Sequence, residues 1–185
     1  MTKNIKYGLI LLSICAVCAF ALAMTNSITA PVIRMQDEMN QKKALEAVSN
    51  GWTIGTRTEV DGQAHVSYTI DLLDKDSVAG YIVGLTTSGY GGQMTLVASY
   101  ANDGDMLFAQ LLTHNETPGL GKKAEHEGYM DKFKGNGAET PIPTSKTMLS
   151  DADAQAVSGS SVTFTAVAKA IAAGSEYVKN LGGAR

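Results

Sequence analysis

Residues 158–163 read Ser158-Gly159-Ser160-Ser161-Val162-Thr163, and Phe164, Val167, Ala168, Ile171 and Val178 then recur at helical spacing. That apolar stripe marks an amphipathic helix with one face in a core. A Ser/Gly-rich turn opening a helix leaves backbone N–H groups unpaired and points the positive end of the helix dipole outward, where a phosphate fits well. The same residues also make an ordinary N-cap, which Ser and Thr favour on any helix. On this stretch alone the ordinary cap is the preferred reading.

Working upstream, Gly135 to Lys146 is a polar, Pro-containing connection, and Tyr129 and Phe133 among charged residues suggest a short helix. Before them lies His114-Asn115-Glu116-Thr117-Pro118-Gly119-Leu120-Gly121-Lys122-Lys123. Pro118-Gly119 forces a tight turn, Gly121 keeps the backbone bare, and Glu116 and Thr117 sit where their side chains face a ligand. Asn115-Glu116-Thr117 also matches a glycosylation sequon, a pattern too common to carry weight. His114 and His126 are too scattered for a metal site and read as surface histidines. Lys122 reads as a solvated lysine in preference to one that balances the charge of a ligand.

Residues 52–113 are largely β. Val66, Tyr68 and Ile70 alternate with polar partners, and Tyr81-Ile82-Val83 is a second short apolar run. Met94 to Tyr100 and Met106 to Leu112 flank Asn102-Asp103-Gly104-Asp105, the strongest hairpin signal in the chain. Gly89-Tyr90-Gly91-Gly92 can adopt backbone angles closed to other residues; alone it is a turn. Strands followed by helices make the fold class α+β, an antiparallel sheet with flanking helices.

The 185 residues give room for one domain and an attachment, and the formal charge of −3 leaves no basic footprint for nucleic acid. Tyr7 to Met24 carries no charge and is nearly all apolar. Eighteen residues rise about 27 Å as a helix, close to the hydrocarbon core of a lipid bilayer. Lys3 and Lys6 precede the run and the next basic residue is Arg34. The positive-inside rule then leaves the N-terminus in the cytoplasm and the chain beyond residue 30 outside.

Ala21-Leu22-Ala23 resembles a signal-peptidase site, but the apolar run exceeds a usual signal core. Ile14 and Val17, before Cys15 and Cys18, fit a lipoprotein signal poorly. A retained single-pass anchor is the expectation. Cys15 and Cys18 do not complete a metal site and behave as small hydrophobes, so the exported part has no disulfide. Pro31 is expected to break or bend the helix, with Val32 to Val48 as a separate helical stalk ended by Asn50-Gly51. The expected division is 1–30 cytoplasmic tip and anchor, 31–50 stalk and 51–185 domain.

With Gly89-Tyr90-Gly91-Gly92, Glu116-Thr117-Pro118-Gly119-Leu120-Gly121 and Ser158–Ser161 in this order, the chain resembles the G subunit of the Rnf ion-translocating electron-transport complex. Its FMN-binding domain is shared with the C subunit of the sodium-translocating NADH:quinone reductase. The resemblance runs nearly the whole length, and the Glu-Thr-Pro-Gly-Leu-Gly segment is its most specific piece. In that family a Ser/Thr-Gly-Ala-Thr tetrad precedes Ala-Val, and its last Thr carries FMN through a phosphodiester installed by a flavin transferase. Aligning on Ala166-Val167 puts Ser158, Gly159, Ser160 and Ser161 on the tetrad. Ser161 then holds the attachment position, Ser160 replaces Ala, and Gln155 stands where an Asp is usual, with Asp153 the nearest acid. A phosphodiester needs only a side-chain hydroxyl, which Ser supplies. Thr163 is the next candidate.

The resemblance implies FMN covalently bound at Ser161, with Glu116, Thr117, Gly119, Leu120 and Gly121 around the ring. It implies an electron-transfer subunit of an ion-translocating ferredoxin:NAD oxidoreductase, with no substrate turnover of its own, linking redox chemistry to sodium or proton transport. The partners implied are Rnf membrane subunits that carry iron–sulfur and a second flavin. Two other classes remain: a stand-alone membrane-anchored flavoprotein serving extracytoplasmic acceptors, and a non-redox anchored interaction domain without flavin.

Overall fold

A computed structural model of the chain describes residues 2–75, 77–126 and 128–182. Met1 and residues 183–185, the two ends of the expected division, lie outside the described residues. The chain forms two compact units, Met1–Gln41 and Lys42–Arg185.

Helix α1 spans Thr2–Val48. Its most apolar window has a mean hydropathy of 2.4 and none of it is buried, so the helix is long and apolar enough to cross a membrane. Four of its hydroxyls are spent locally. Ser13 donates to the Ile10 carbonyl at 2.8 Å, Thr25 to Ala21 at 2.9 Å, Ser27 to Ala23 at 2.9 Å and Thr29 to Thr25 at 3.0 Å. Polar groups that bond back to the preceding turn are tolerable where no water can serve them. Cys15 and Cys18 are free, exposed thiols.

The expected break at Pro31 does not occur, because α1 continues through it. Pro31 removes one donor, the bond that would reach the Ser27 carbonyl, and the rest of the ladder continues on either side. The stalk is therefore part of α1 rather than a second helix.

In the second unit, five antiparallel strands run in sequence order: β1 (Thr53–Glu59), β2 (Val66–Asp74), β3 (Ser77–Ser88), β4 (Gln93–Ala101) and β5 (Met106–Thr113). Together with the helices this makes the fold α+β. The Asp-Gly turn closes β4 onto β5 as the sequence implies. Gly104 takes φ 88°, its N–H donates to the Ala101 carbonyl at 2.9 Å, and the Asp105 N–H donates to Asp103 Oδ1 at 3.0 Å.

Strands β3 and β4 are buried on both faces, which is why they read as continuous apolar runs rather than alternating ones. One face carries Tyr68, Ile70, Leu72, Ile82 and Val97, covered by Ala44 and Val48 from the last turn of α1. The other carries Val83, Leu85, Leu96, Ala98 and Tyr100, covered by helix α3 (Ser161–Gly182) through Phe164, Val167, Ala168 and Ile171. A fully buried aliphatic or aromatic side chain of this kind contributes roughly 1.5–3 kcal/mol. Tyr100 fixes the height of α3 on the sheet, since its hydroxyl donates to the Ile171 carbonyl at 2.8 Å and its ring fills the space left by Gly174.

The short helix around Tyr129 and Phe133 is a 3-10 turn, Met130–Phe133, and Phe133 stacks on Phe164 with centroids 5.5 Å apart. Helix α2 (Asp151–Ala156) was not evident in the sequence. It is short and capped by Ser150, whose hydroxyl accepts the Asp153 N–H at 3.2 Å and donates to the Asp153 carboxylate at 2.7 Å.

Candidate functional site

Three loops meet at the start of α3: Gly89–Gly92 between β3 and β4, His114–Gly121 after β5, and Ser158–Ser160. Glu116 joins them. Its side chain is only 4% exposed. Oε1 accepts the Gly91 N–H at 3.0 Å and Oε2 accepts the Thr163 hydroxyl at 2.6 Å. The glycines around it are steric necessities. A Cβ on Gly89 or Gly121 would collide with the Glu116 carboxyl, and one on Gly91 with the Asn115 carbonyl. Bare backbone on three sides lets the carboxyl lie inside the protein with its acceptors met.

His114 belongs to this arrangement, a correction to its reading as a surface histidine. Its side chain is 10% exposed, Nδ1 accepts the Glu116 N–H at 3.2 Å, and Nε2 donates to Glu125. One tautomer satisfies both contacts. His126 is exposed, as expected. Lys122 is also exposed, 4.0 Å from Glu125. Lys123 ties this segment to the turn before α3, donating to the Ser158 carbonyl at 3.1 Å.

The turn at Thr117-Pro118-Gly119-Leu120 closes through the Leu120 N–H and the Thr117 carbonyl at 3.2 Å, with Gly119 at φ 77°. Proline second and a left-handed glycine third are what a type II turn demands. The turn pushes Leu120 outward, 48% exposed. At Val157–Ser160 a similar turn, with Gly159 at φ 83°, brings the chain into α3.

The hydroxyls at this junction differ in what they already do. Ser160 is buried and donates to the Val157 carbonyl at 3.0 Å. Thr163 is 1% exposed and committed to Glu116. Ser161 is exposed, and its hydroxyl has no hydrogen-bond partner among the described residues. It opens the first turn of α3, where the N–H groups of Ser161, Val162 and Thr163 have no carbonyl one turn back within the helix.

A cavity of about 490 Å³, within the usual size of small-molecule sites, is lined by Tyr90, Glu116, Thr117, Leu120, Ser161 and Val162, among others. Gly121, Gly159, Ser160 and Thr163 complete the sequence-predicted residues that reach it, while Ser158 and Gly119 stay in their turns outside the lining. Tyr90, 78% exposed, and Val162, 55% exposed, were not among the predicted site residues. With Leu120 they give the mouth three exposed apolar side chains, the kind of patch that marks a binding surface. Tyr90 was within reach of sequence reasoning, since an aromatic side chain between glycines has no core to enter.

Tyr129 lies behind Glu116. Its hydroxyl is buried with no hydrogen-bond partner among the described residues. Burial first, and then the Glu116 charge, push the phenol above its ordinary range.

Residues 89–176 match the FMN-binding domain family, and residues 1–48 match the RnfG N-terminal region. The chain is 30% identical to the G subunit of the Na⁺-translocating ferredoxin:NAD⁺ oxidoreductase complex of Acetobacterium woodii, over 95% of this chain and 92% of that protein. The chain belongs to the Rnf G-subunit family. It is also 26% identical to the G subunit of the proton-translocating ferredoxin:NAD⁺ oxidoreductase complex of Clostridium ljungdahlii, over 100% of this chain and 94% of that protein. With the G subunit of the ion-translocating oxidoreductase complex of Methanosarcina acetivorans it shares 26% identity, over 89% of each. These matches cover both the apolar helix and the loops that carry the cavity.

Proposed function

We propose that the chain is an electron-transfer subunit of a membrane-bound Rnf-type complex, carrying FMN as a phosphodiester on Ser161. Membership of the G-subunit family and the FMN-binding match support the electron-transfer role and the cofactor. The observation that carries the site is the state of the hydroxyls: Ser160 and Thr163 are buried and engaged, and Ser161 is exposed and unspent. The cavity beside it fits the group. It has a glycine-lined floor, apolar side chains at the mouth, and free N–H groups at a helix start where a phosphate's charge is favoured.

Bound FMN supplies one- and two-electron chemistry that no side chain here has. The chain's own residues bind and orient. Leu120, Tyr90 and Val162 would cover the ring faces, and the Thr117–Gly121 turn would offer amide and hydroxyl groups to its polar edge. Glu116 holds the three loops in register. Formation of the tether joins Ser161 Oγ to phosphorus, releases the hydroxyl proton and breaks the donor's bond to its leaving group, work assigned to a separate flavin transferase.

On this reading residues 1–30 are the cytoplasmic tip and anchor, 31–50 the stalk, and 51–185 the extracytoplasmic domain. The partners are the other membrane subunits of the complex, and ferredoxin and NAD are the redox couples at its ends. The coupled ion, sodium or proton, moves elsewhere, since Tyr7 to Met24 holds no charge to conduct one. The test is the mass of the chain extracted from its own membranes, with fragmentation across residues 150–179. An FMN increment on the Ser161 fragment is expected; an unmodified chain removes the proposal.

A further inference from the structure

Ser161 lies between two cavities. The second, about 790 Å³, is on the sheet side and is lined by His65, the Thr86–Ser88 end of β3, Gln93 and the Ser161–Thr165–Lys169 face of α3. Those three helix residues are spaced i, i+4 and i+8, so they stack along one side. Side chains lean toward a helix's N-terminus, which directs Lys169 back toward Ser161. Lys169 is exposed and has no ion-pair or hydrogen-bond partner among the described residues. No Asp or Glu is among the lining residues.

His65 is held in place at some cost. Its φ of 68° is left-handed, uncommon for a residue with a side chain. Its carbonyl accepts the Thr86 N–H at 2.8 Å, and its Nδ1 donates to the Thr86 carbonyl at 2.9 Å. Thr86 is braced in turn by Ser67, hydroxyl to hydroxyl at 3.0 Å. With Nδ1 engaged, Nε2 is the ring nitrogen left for the cavity. An imidazole anchored through Nδ1, whose Nε2 donates once the ring is doubly protonated, shares this lining with an ammonium that has no partner among the described residues and with no acid, a combination that suits an anion.

We propose that this cavity is a phosphate-class anion site, with Lys169 as its cation, His65 Nε2 as a donor when the ring carries its second proton and Thr165 as a neutral donor, and that its occupant is the phosphate of the flavin tethered at Ser161. The identity of the occupant rests on the flavin reading above; the anion site does not. The two cavities then divide the cofactor: the apolar one takes the ring, and the basic one takes the charge. The arrangement gives the tether a fixed direction from Ser161 as well as a bond.

Imidazole NMR of the full-length chain in detergent tests this, because the chain has three histidines and His65→Gln assigns the relevant signal. In flavin-free protein from a host without the transferase, inorganic phosphate is expected to move the His65 signal saturably, beyond the effect of sodium chloride at equal ionic strength. Lys169→Gln should weaken that response about tenfold, the loss of one charge-assisted hydrogen bond, and Lys169→Arg should largely restore it. In flavin-carrying protein the signal should already be displaced and insensitive to added phosphate. A His65 signal that phosphate leaves unmoved in the flavin-free chain overturns the anion site. Equal responses with and without flavin overturn the tethered phosphate as its occupant. If native membranes yield only colourless chain, the flavin reading falls, and the flavin-free titration alone decides whether the site exists.

Discussion

Thr163 Oγ1 donates a 2.6 Å hydrogen bond to Glu116 Oε2, linking the first turn of α3 to a loop 47 residues earlier. Both groups are buried, so neither has water to fall back on. Thr163→Val leaves a carboxyl oxygen without its donor and should cost about 1–3 kcal/mol, with Thr163→Ser nearer neutral. Glu116→Ala strands the Gly91 N–H and the Thr163 hydroxyl together and should cost more than either. Denaturant unfolding measures both. Covalent flavin should survive Thr163→Val; its loss there, with retention in Ser161→Ala, would mean that the tether is on Thr163.

Ser161→Ala should abolish the covalent, fluorescent band of the denatured chain and, in flavin-free protein, change stability by no more than about 0.5 kcal/mol, because that side chain is exposed and has no hydrogen-bond partner among the described residues. Ser161→Thr keeps a hydroxyl at the same helix position and should keep the band. Gel fluorescence on protein from a host with the transferase, and thermal melts on flavin-free protein, read the two effects separately.

Gly91→Ala tests the glycine floor. The added methyl meets the Asn115 carbonyl, which is backbone and has little room to move. Displacing it also disturbs the Glu116 bond to the Gly91 N–H, so a loss of about 1–3 kcal/mol is expected. Gly92→Ala places its methyl in open space, and only its φ of 116° opposes it. Unfolding curves in which the two substitutions differ would separate collision from backbone strain.

The raised Tyr129 phenol gives stability a sign at high pH. Folding favours its protonated form, so its contribution is complete below the ordinary tyrosine value near 10 and declines as pH rises past that value. Tyr100, raised by burial alone, acts in the same sense. Tyr129→Phe should therefore flatten part of the alkaline fall in melting temperature. At neutral pH it should be neutral or slightly stabilising, since the lost hydroxyl had no partner among the described residues. A steeper alkaline fall in the variant would contradict this.

Local patterns in the sequence were enough for the membrane-length helix, the Asp-Gly hairpin, the amphipathic stripe of α3 and a tight turn at Pro118-Gly119. Each depends on neighbours within a few residues, where periodicity and backbone chemistry act directly. Pro31 does not end α1, against its local signal, because a single missing donor does not outweigh the helix on either side of it. Helix α2 escapes notice in the sequence because six residues carry too little pattern. Which hydroxyls are spent, that His114 braces Glu116 rather than meeting water, and that His65 and Lys169 line one cavity were decided only when distant segments packed together. Those facts come from contacts spanning tens of residues, and a buried hydrogen bond leaves no trace in the chain until its partner arrives.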